Sequence, residues 1–473
     1  MSARAAAGAL SLLRSLSLAC ACACAGAGLV AACGPDPTVI APVVETPAAG
    51  APGAAFPDLD ELELSLARVG ATDDLITDTF HRGDTVELTD VPDGDALILH
   101  LTGRLGGADT AYGRTCPFAI HTAELPASLR VYFAQIVHWA ARDTPPDPVR
   151  IAGAAVTYHD DRLIFLGGVD AAGAPVTDLD VFDPATGTFT DDGRLAPRLG
   201  GAAATLGIGG ADGVIVLGGI DPAIGAASPA LERIELDATA DRRVETVDRP
   251  LLARVGAAVC SLTDGRVFVA GGQAVGGPPL AGTAEVTSVG TTVREYAATL
   301  AVPRVGATAT LLSDDLGAPV LIAGGRDVDG QPVALAELWK PLAETLADPA
   351  VFHPTMIVPR YGHAAARMPD GTVLVIGGVD GQGHPVRELE RFSLDAGFAL
   401  ARTSTGAPAL LPAGVGVLDR AVTALPDGRL LVTGGREADG GPPLATAALV
   451  SLDTLDGSVD ILATSPLLTP RAG

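Results

Sequence analysis

Residues 360–378 read Arg-Tyr-Gly-His-Ala-Ala-Ala-Arg-Met-Pro-Asp-Gly-Thr-Val-Leu-Val-Ile-Gly-Gly, and this order decides the fold. The small residues after Arg360 predict a strand in crowded surroundings. Asp370-Gly371 suits a tight hairpin that requires positive φ. The apolar run that starts at Val373 predicts a second strand covered on both faces. The glycine pair that ends it lets neighbouring backbones approach closely.

The same order recurs along the chain after residue 150. Double glycines fall 51 to 57 residues apart, at Gly167-Gly168, Gly218-Gly219, Gly271-Gly272, Gly324-Gly325, Gly377-Gly378 and Gly434-Gly435. The arginines that open the repeats are Arg150, Arg198, Arg254, Arg304, Arg360 and Arg420. Repeats of this kind are typical of propeller blades, each stable only against its neighbours. Small residues after each arginine fit the innermost strand, where all blades converge on one axis.

A third strand follows in register with the glycine pairs. It is marked 14 or 15 residues beyond the second glycine by Phe182, Ile234, Thr287, Trp339, Phe392 and Val450. In four repeats a glutamate stands two positions earlier, at Glu232, Glu285, Glu337 and Glu390. A register that holds within one chain indicates a true structural repeat.

The order of these features resembles kelch repeats: an arginine, a strand of small residues, a double glycine, and a glutamate before an aromatic residue. The segment Val181–Phe189 is the nearest match, whereas the usual tyrosine of the third strand is absent from every repeat. The resemblance implies an all-β chain: a six-bladed kelch-like β-propeller over residues 149–473. Before it, alternating residues such as Leu62, Leu64 and Leu66 predict a small antiparallel β-sandwich over residues 57–148.

The N-terminus carries an export signal. Arg4 and Arg14 precede an apolar stretch and small residues that lead to Cys33, which predicts a signal peptide over residues 1–32. Val30-Ala-Ala-Cys33-Gly34 resembles the lipobox of bacterial lipoproteins, which implies lipidation of Cys33. In such families Gly34, rather than Asp, favours the outer membrane of a Gram-negative bacterium. Alternatives are an ordinary signal peptide or a single membrane-spanning helix.

Residues 33–56 are rich in Pro, Ala and Gly and predict an extended tether. Once the signal peptide and Cys33 are set aside, Cys116 and Cys260 are the cysteines that remain. In an oxidising compartment they could form a disulfide, which sequence alone cannot establish. We expect two buried, unpaired thiols.

Charge narrows the range of partners. The formal net charge is -25, and a single lysine, Lys340, stands against thirty arginines. This balance argues against nucleic acid or an anionic membrane surface as a partner, because both bind best to a basic protein surface. We expect membrane contact through the N-terminal lipid alone.

The repeat-opening arginines are the candidate binding residues. In equivalent positions they would form a ring around one mouth of the propeller, where several guanidinium groups could bind a carboxylate or sulfate. In the structural alternative, each arginine binds carbonyl groups or an acidic side chain of the next blade.

Other chemistries have weaker support in the sequence. Asp327-Val-Asp329-Gly330 has only the start of a calcium loop, and turn formation explains these residues. Galactose-oxidase-like copper enzymes also use kelch propellers, but their adjacent Tyr-His becomes Tyr361-Gly-His363 here. We assign no catalytic residue, metal or cofactor. The expected function is a non-catalytic, exported lipoprotein that recognises a protein or glycan in the cell envelope. The alternative is a carbohydrate-active enzyme of lyase, epimerase or oxidase type, working at the axial mouth.

Overall fold

The computed structural model describes residues 38–47, 59–121 except 70 and 72, 129–135, 154–157, 162–183 except 171, 186, 188–207, 213–236, 242–248, 253–287, 292–348, and 351–470 except 426, 454, 465, 468 and 469. Over these ranges the chain is all-β. Among the residues described, we find no helix with the length and apolar character that a membrane crossing requires.

Two sheets form the N-terminal part. Their strands are β1 (Val43–Glu45), β2 (Glu61–Arg68), β3 (Asp74–Phe80), β4 (Gly94–Leu105), β5 (Ala108–Arg114), β6 (Phe118–Ile120), β7 (Arg130–Tyr132) and β8 (Ala134–Gln135). The larger sheet has the order β3-β2-β4-β5-β8, with β6 paired to β4, and β1 pairs in parallel with β7. Burial along β2 does not follow the predicted alternation, because Ser65 is buried as well as its neighbours Leu64 and Leu66. One core joins these two leucines to Ile40 and Val131 beside the parallel pair.

Part of the segment predicted as a tether is folded. Ile40 is 5% exposed and pairs with Leu88, and Val43–Glu45 pairs with Arg130–Tyr132. The prediction of an extended tether is therefore wrong for residues 38–47. Proline density misled it, since a three-residue strand fits between Pro42 and Pro47 without a proline inside the ladder.

Within the described residues, the repeats form six four-stranded antiparallel sheets, numbered here as repeat sheets 1 to 6. Sheet 1 consists of β9 (Ala154–Thr157), β10 (Leu163–Leu166), β11 (Asp178–Asp183) and β12 (Thr188–Arg194). Sheet 2 consists of β13 (Ala202–Leu206), β14 (Gly213–Leu217), β17 (Ala230–Leu236) and β18 (Arg242–Asp248), with a hairpin of β15 (Ile220–Asp221) and β16 (Ala226–Ala227). Sheet 3 consists of β19 (Ala258–Ser261), β20 (Val267–Ala270), β21 (Thr283–Thr287) and β22 (Thr292–Glu295).

Sheet 4 consists of β23 (Thr308–Leu311), β24 (Val320–Ala323), β25 (Glu337–Lys340) and β26 (Thr345–Leu346). Sheet 5 consists of β27 (Ala364–Arg367), β28 (Val373–Ile376), β29 (Glu390–Ser393) and β30 (Gly397–Leu400). Sheet 6 consists of β31 (Ala421–Ala424), β32 (Leu430–Thr433), β33 (Ala447–Leu452) and β34 (Val459–Ala463).

Successive repeat sheets pack face to face. Ile164 and Leu166 of sheet 1 share a core cluster with Val214 and Val216 of sheet 2, and four further clusters join the following pairs of sheets in turn. The first strands of neighbouring sheets lie side by side from β9 to β31, and they consist mainly of Ala, Thr, Val and Ser. This series of sheets is propeller-like, and its crowded strand is the first one, as predicted.

Two close approaches explain the glycine pair at Gly324 and Gly325. A Cβ atom on Gly324 would lie 2.7 Å from the carbonyl oxygen of Arg360 in the next sheet. One on Gly325 would lie 2.8 Å from the carbonyl oxygen of Val305 in its own sheet. Both glycines also have positive φ, at 63° and 87°. The pair is therefore the joint at which a sheet meets both its own opening segment and its neighbour.

The two ends of the series differ from its middle. In sheets 2 to 5 the second strand is buried throughout. In sheet 1, Leu163 and Phe165 are partly exposed, and so are Leu431 and Thr433 in sheet 6. These residues alternate with buried ones, so one face of each terminal sheet is half covered.

Candidate functional site

The repeat-opening arginines lie inside their own sheets. Arg360 is fully buried and its Nη2 donates to Glu390 Oε1 at 2.5 Å. Its Nη1 donates to the carbonyl oxygens of Gly377 at 3.2 Å and Glu388 at 2.7 Å, and its Nε donates to Val358. The guanidinium thus joins the start of the first strand, the double glycine and the third strand of one sheet.

The same arrangement recurs in two other sheets. Arg304 donates to Glu337 at 2.6 Å and to the carbonyl of Leu335 at 2.7 Å. Arg198 pairs with Glu232 and donates to the carbonyl of Gly218 at 3.0 Å. Both guanidinium groups are 1% exposed or less. These side chains have no accessible surface to offer a ligand, so the structure does not place them in the predicted anion-binding ring. The structural alternative expected their acidic partners in the next blade, but these partners belong to the same sheet.

Burial dominates the electrostatics of these pairs. Removal from water lowers the pKa of Arg198, Arg304 and Arg360, while the neighbouring glutamates act in the opposite direction. Burial likewise raises the pKa of Glu232, against the effect of Arg198. Each charge is therefore tolerated in the interior only because its partner is present.

Strand register shows which residues are equivalent to these glutamates. The glutamates that pair with the arginines stand on the third strand, opposite the second-strand residue two positions before the double glycine. In sheets 1 to 6 this position holds Asp180, Glu232, Ala284, Glu337, Glu390 and Ala448. Glu285 lies opposite Phe268, one residue further along. The alignment of Glu285 and Thr287 with the other repeats is therefore wrong by one residue.

This shift gives Glu285 a different role. It is fully buried and accepts hydrogen bonds from the Tyr296 hydroxyl at 2.6 Å and the Trp339 indole at 3.0 Å, besides its ion pair with Arg266. Trp339 belongs to sheet 4, so Glu285 joins two sheets. Arg254 instead donates to the carbonyls of Gly271 at 2.9 Å and Gly282 at 3.3 Å.

Arg420 is not equivalent to the other arginines. Ala364 of sheet 5 and Ala421 of sheet 6 both pair with the residue before the double glycine. The residues four positions before these two alanines are therefore equivalent, and they are Arg360 in sheet 5 and Val417 in sheet 6. The backbone agrees, because Gly378 donates to the Val417 carbonyl just as Gly272 donates to that of Arg304. The prediction that Arg420 completes a ring is therefore wrong, and its equivalent in sheet 5 is His363.

Arg420 and His363 are the bulky residues at a position that is Gly201, Ala257 and Ala307 in sheets 2 to 4. Within the described chain, Arg420 hydrogen-bonds to three carbonyls, those of Val417, Ile376 and Gly362. Burial, and then the charge of Arg360, lower its pKa to about 9.

His363 is the neutral member of this group. It is 8% exposed, and its Nε2 lies 3.0 Å from the Thr308 hydroxyl of sheet 4. Burial, followed by the charges of Arg360 and Arg420, lowers its pKa to about 3. In the sequence, His363 stood out only because Tyr361-Gly-His363 partly matches the Tyr-His pair of galactose-oxidase-like copper enzymes. The signal that could have found this group is the replacement of Gly or Ala by a large polar residue directly before the first strand.

The acidic loops after the double glycines are held together by their own aspartates. Oδ1 of Asp327 accepts the amides of Asp329 and Gln331, both at 2.9 Å. Asp380 and Asp170 bind the amides two and four residues ahead in the same way. Turn formation thus accounts for them. No three His, Cys, Asp or Glu side chains of the described ranges are placed to hold a metal ion.

The remaining predicted residues fall into two groups. Cys116 and Cys260 are not joined by a disulfide, and each residue is partly exposed, although removal from water still raises the pKa of the Cys260 thiol. Cys33 and Arg150 lie outside the described residues.

Neither a protein-family model nor a curated protein sequence matches the chain. Among solved structures it is similar to one described as "Structure of YjhT", with 13% sequence identity and a TM-score of 0.48. That match covers 67% of this chain and 99% of the other. The fold assignment therefore rests on the strands and sheets described above.

Proposed function

We propose that the chain is an exported lipoprotein, anchored through Cys33 at the outer membrane of a Gram-negative bacterium, whose six-bladed kelch-like propeller is a non-catalytic binding module. Its partner is a protein or glycan of the cell envelope. The observation that carries the proposal is a row of exposed aliphatic side chains on equivalent loops.

These loops connect the second and third strands of sheets 2, 3 and 4. Ile224 is 63% exposed, Val275 is 40% exposed and Val328 is 60% exposed. Because the sheets are antiparallel and their first strands lie side by side, the three loops share one end of the propeller. Exposed aliphatic side chains on equivalent loops would suit contact with a protein partner. This favours a protein over a glycan.

The buried arginines support a scaffold role. Arg198, Arg304 and Arg360 are engaged by Glu232, Glu337 and Glu390 inside single sheets. Positive charge that could attract an anionic substrate is thereby used for structure. Recognition then falls to the loops.

Closure into a ring of six blades would pair the two half-covered faces. Sheet 1 offers Leu163, Phe165 and Phe189, and the ring of Phe189 lies 5.8 Å from that of Phe165. Sheet 6 offers Leu431 with Leu462, which is 57% exposed. These side chains are apolar, so packing one face on the other would extend the pattern of the five internal interfaces.

Crosslinking in the envelope tests the binding face. The full-length protein, its Ile224→Ser/Val328→Ser double variant and a Leu342→Ser/Leu394→Ser control would be crosslinked in cells and purified. Leu342 and Leu394 are exposed loop residues after the third strand, at the opposite end. We expect one crosslinked partner to be lost from the first variant and kept by the control. Equal yields from both variants would contradict the assigned face.

The anchor has a separate test. Cys33→Ser should release the protein from the membrane fraction, and mass spectrometry should show acyl chains on the wild-type N-terminal peptide only. An unchanged distribution would contradict lipidation at Cys33.

A further inference from the structure

A cavity of about 300 Å³ opens in the N-terminal part, away from the repeat sheets. It lies where the ends of β2 and β3 meet the segment that carries β1. Its size is at the lower end of small-molecule sites, which span roughly 300 to 1,000 Å³. A ligand for it would be small.

The floor of the cavity is apolar. Leu59, Leu62, Phe80, Val86 and Phe133 line it, and these side chains also pack against the N-terminal core. An aromatic ring or a short alkyl chain would therefore lose its contact with water on entering.

The rim is polar and carries more negative than positive charge. Asp60, Glu61 and Asp84 contribute carboxylates, Arg82 contributes one guanidinium and His81 contributes one imidazole. The charge of Glu61 is already shared with Arg104 at 2.9 Å. Asp60 and Asp84 are therefore the lining carboxylates that we expect a ligand to contact.

Both of these carboxylates are oriented by backbone amides. Oδ2 of Asp60 accepts the Gly106 amide at 2.7 Å, and Oδ2 of Asp84 accepts the His81 amide at 2.8 Å. The second oxygen of each group stays able to accept a hydrogen bond. Two fixed acceptors above an apolar floor suit a donor that is positively charged.

We propose that this cavity binds a primary ammonium group carried on a small apolar group, such as a phenyl ring or a short alkyl chain. The apolar group rests on Leu62, Phe80 and Val86, and the ammonium donates to Asp60 and Asp84. An acid with the same apolar group is excluded by the charge of the rim. This site is independent of the loop face proposed for the propeller.

Binding of 2-phenylethylamine and 2-phenylethanol to the full-length protein tests the proposal by calorimetry at neutral pH. The two probes share one apolar group and differ in charge. We expect the amine to bind more tightly than the alcohol. Asp60→Asn/Asp84→Asn should weaken binding of the amine by about four- to twenty-fivefold and leave binding of the alcohol unchanged, because each exposed ion pair contributes about two- to fivefold.

Two control variants locate the site. Asp78→Asn removes an exposed carboxylate of β3 outside the cavity and should leave both affinities unchanged. Thr46→Trp puts a large ring at the cavity entrance and should abolish binding of both probes. Equal affinity for amine and alcohol, no saturable binding of the amine, or full binding by Thr46→Trp would each overturn the proposal.

Discussion

The buried pair of Arg360 and Glu390 offers the sharpest test of the repeat architecture. Glu390→Ala removes the acceptor of three hydrogen bonds, from Arg360 at 2.5 Å and from the amides of Ile357 and Val358 at 2.7 Å and 3.0 Å. It leaves a guanidinium charge without a carboxylate in an interior where Arg360 is fully buried. Breaking such a pair costs about 3–5 kcal/mol. That is a large part of a typical unfolding free energy of about 5–15 kcal/mol.

Sheet 6 supplies the design of a rescue variant. Val417 and Ala448 stand where sheet 5 has Arg360 and Glu390, and both are fully buried in one apolar cluster. Arg360→Val/Glu390→Ala copies this solution, since it removes both charges together. We expect the double variant to be more stable than Glu390→Ala alone, although the two unpaired amides keep it below wild type.

Urea denaturation followed by circular dichroism measures these differences. Arg294→Ala serves as the matched control, because Arg294 forms a two-bond ion pair with Glu344 while its side chain is 59% exposed. Its loss should cost less than about 1 kcal/mol. Two results would refute the reasoning: a Glu390→Ala cost no larger than the control, or a double variant whose cost equals the sum of its single substitutions.

Three further predictions concern Gly324, His363 and Cys260. Gly324→Ala should destabilise the protein far more than Gly330→Ala, because both have positive φ but only Gly324 has atoms of His363 and Arg360 within 3 Å of the added methyl; comparing their urea midpoints checks this. Burial lowers the pKa of His363 in the folded protein to about 3, below its ordinary value of 6.5. The folded state therefore favours the neutral imidazole, and this stabilisation is present at neutral pH and lost as the pH falls from 6.5 towards 3. Between pH 7 and pH 5 wild type should therefore lose about 2 kcal/mol more than His363→Gln in urea titrations, and equal losses would contradict this. Burial raises the pKa of the Cys260 thiol to about 12, so in a Cys116→Ser background iodoacetamide should modify it at pH 8 at least about a hundredfold more slowly than in urea; comparable rates would show an accessible thiolate.

The repeat was readable from sequence because its physical requirements are local. A glycine pair with positive φ, a strand buried on both faces and a first strand of small residues each leave a mark within a few positions. Gly324-Gly325 is such a mark. These features predicted an all-β chain of equivalent sheets, together with the order of their strands.

The candidate site was less readable because it depends on register. Spacing put Glu285 with the other glutamates and Arg420 with the other arginines. Loops of different length displaced each from its structural equivalent, by one and by three residues. The cavity beside Phe80 could not be predicted from the sequence, because it combines residues of β2, β3 and the 38–47 segment that are far apart in the chain.

The two half-covered faces of the terminal sheets have a consequence for assembly. A surface on sheet 6 that fits sheet 1 of its own chain fits sheet 1 of another copy equally well. Such contacts run head to tail and have no symmetry that ends them, so they build linear polymers. In the closed ring that we propose, only the high local concentration of the chain's own sheet 1 favours closure. Crowded molecules would therefore be most prone to fibre growth before sheet 6 docks on sheet 1.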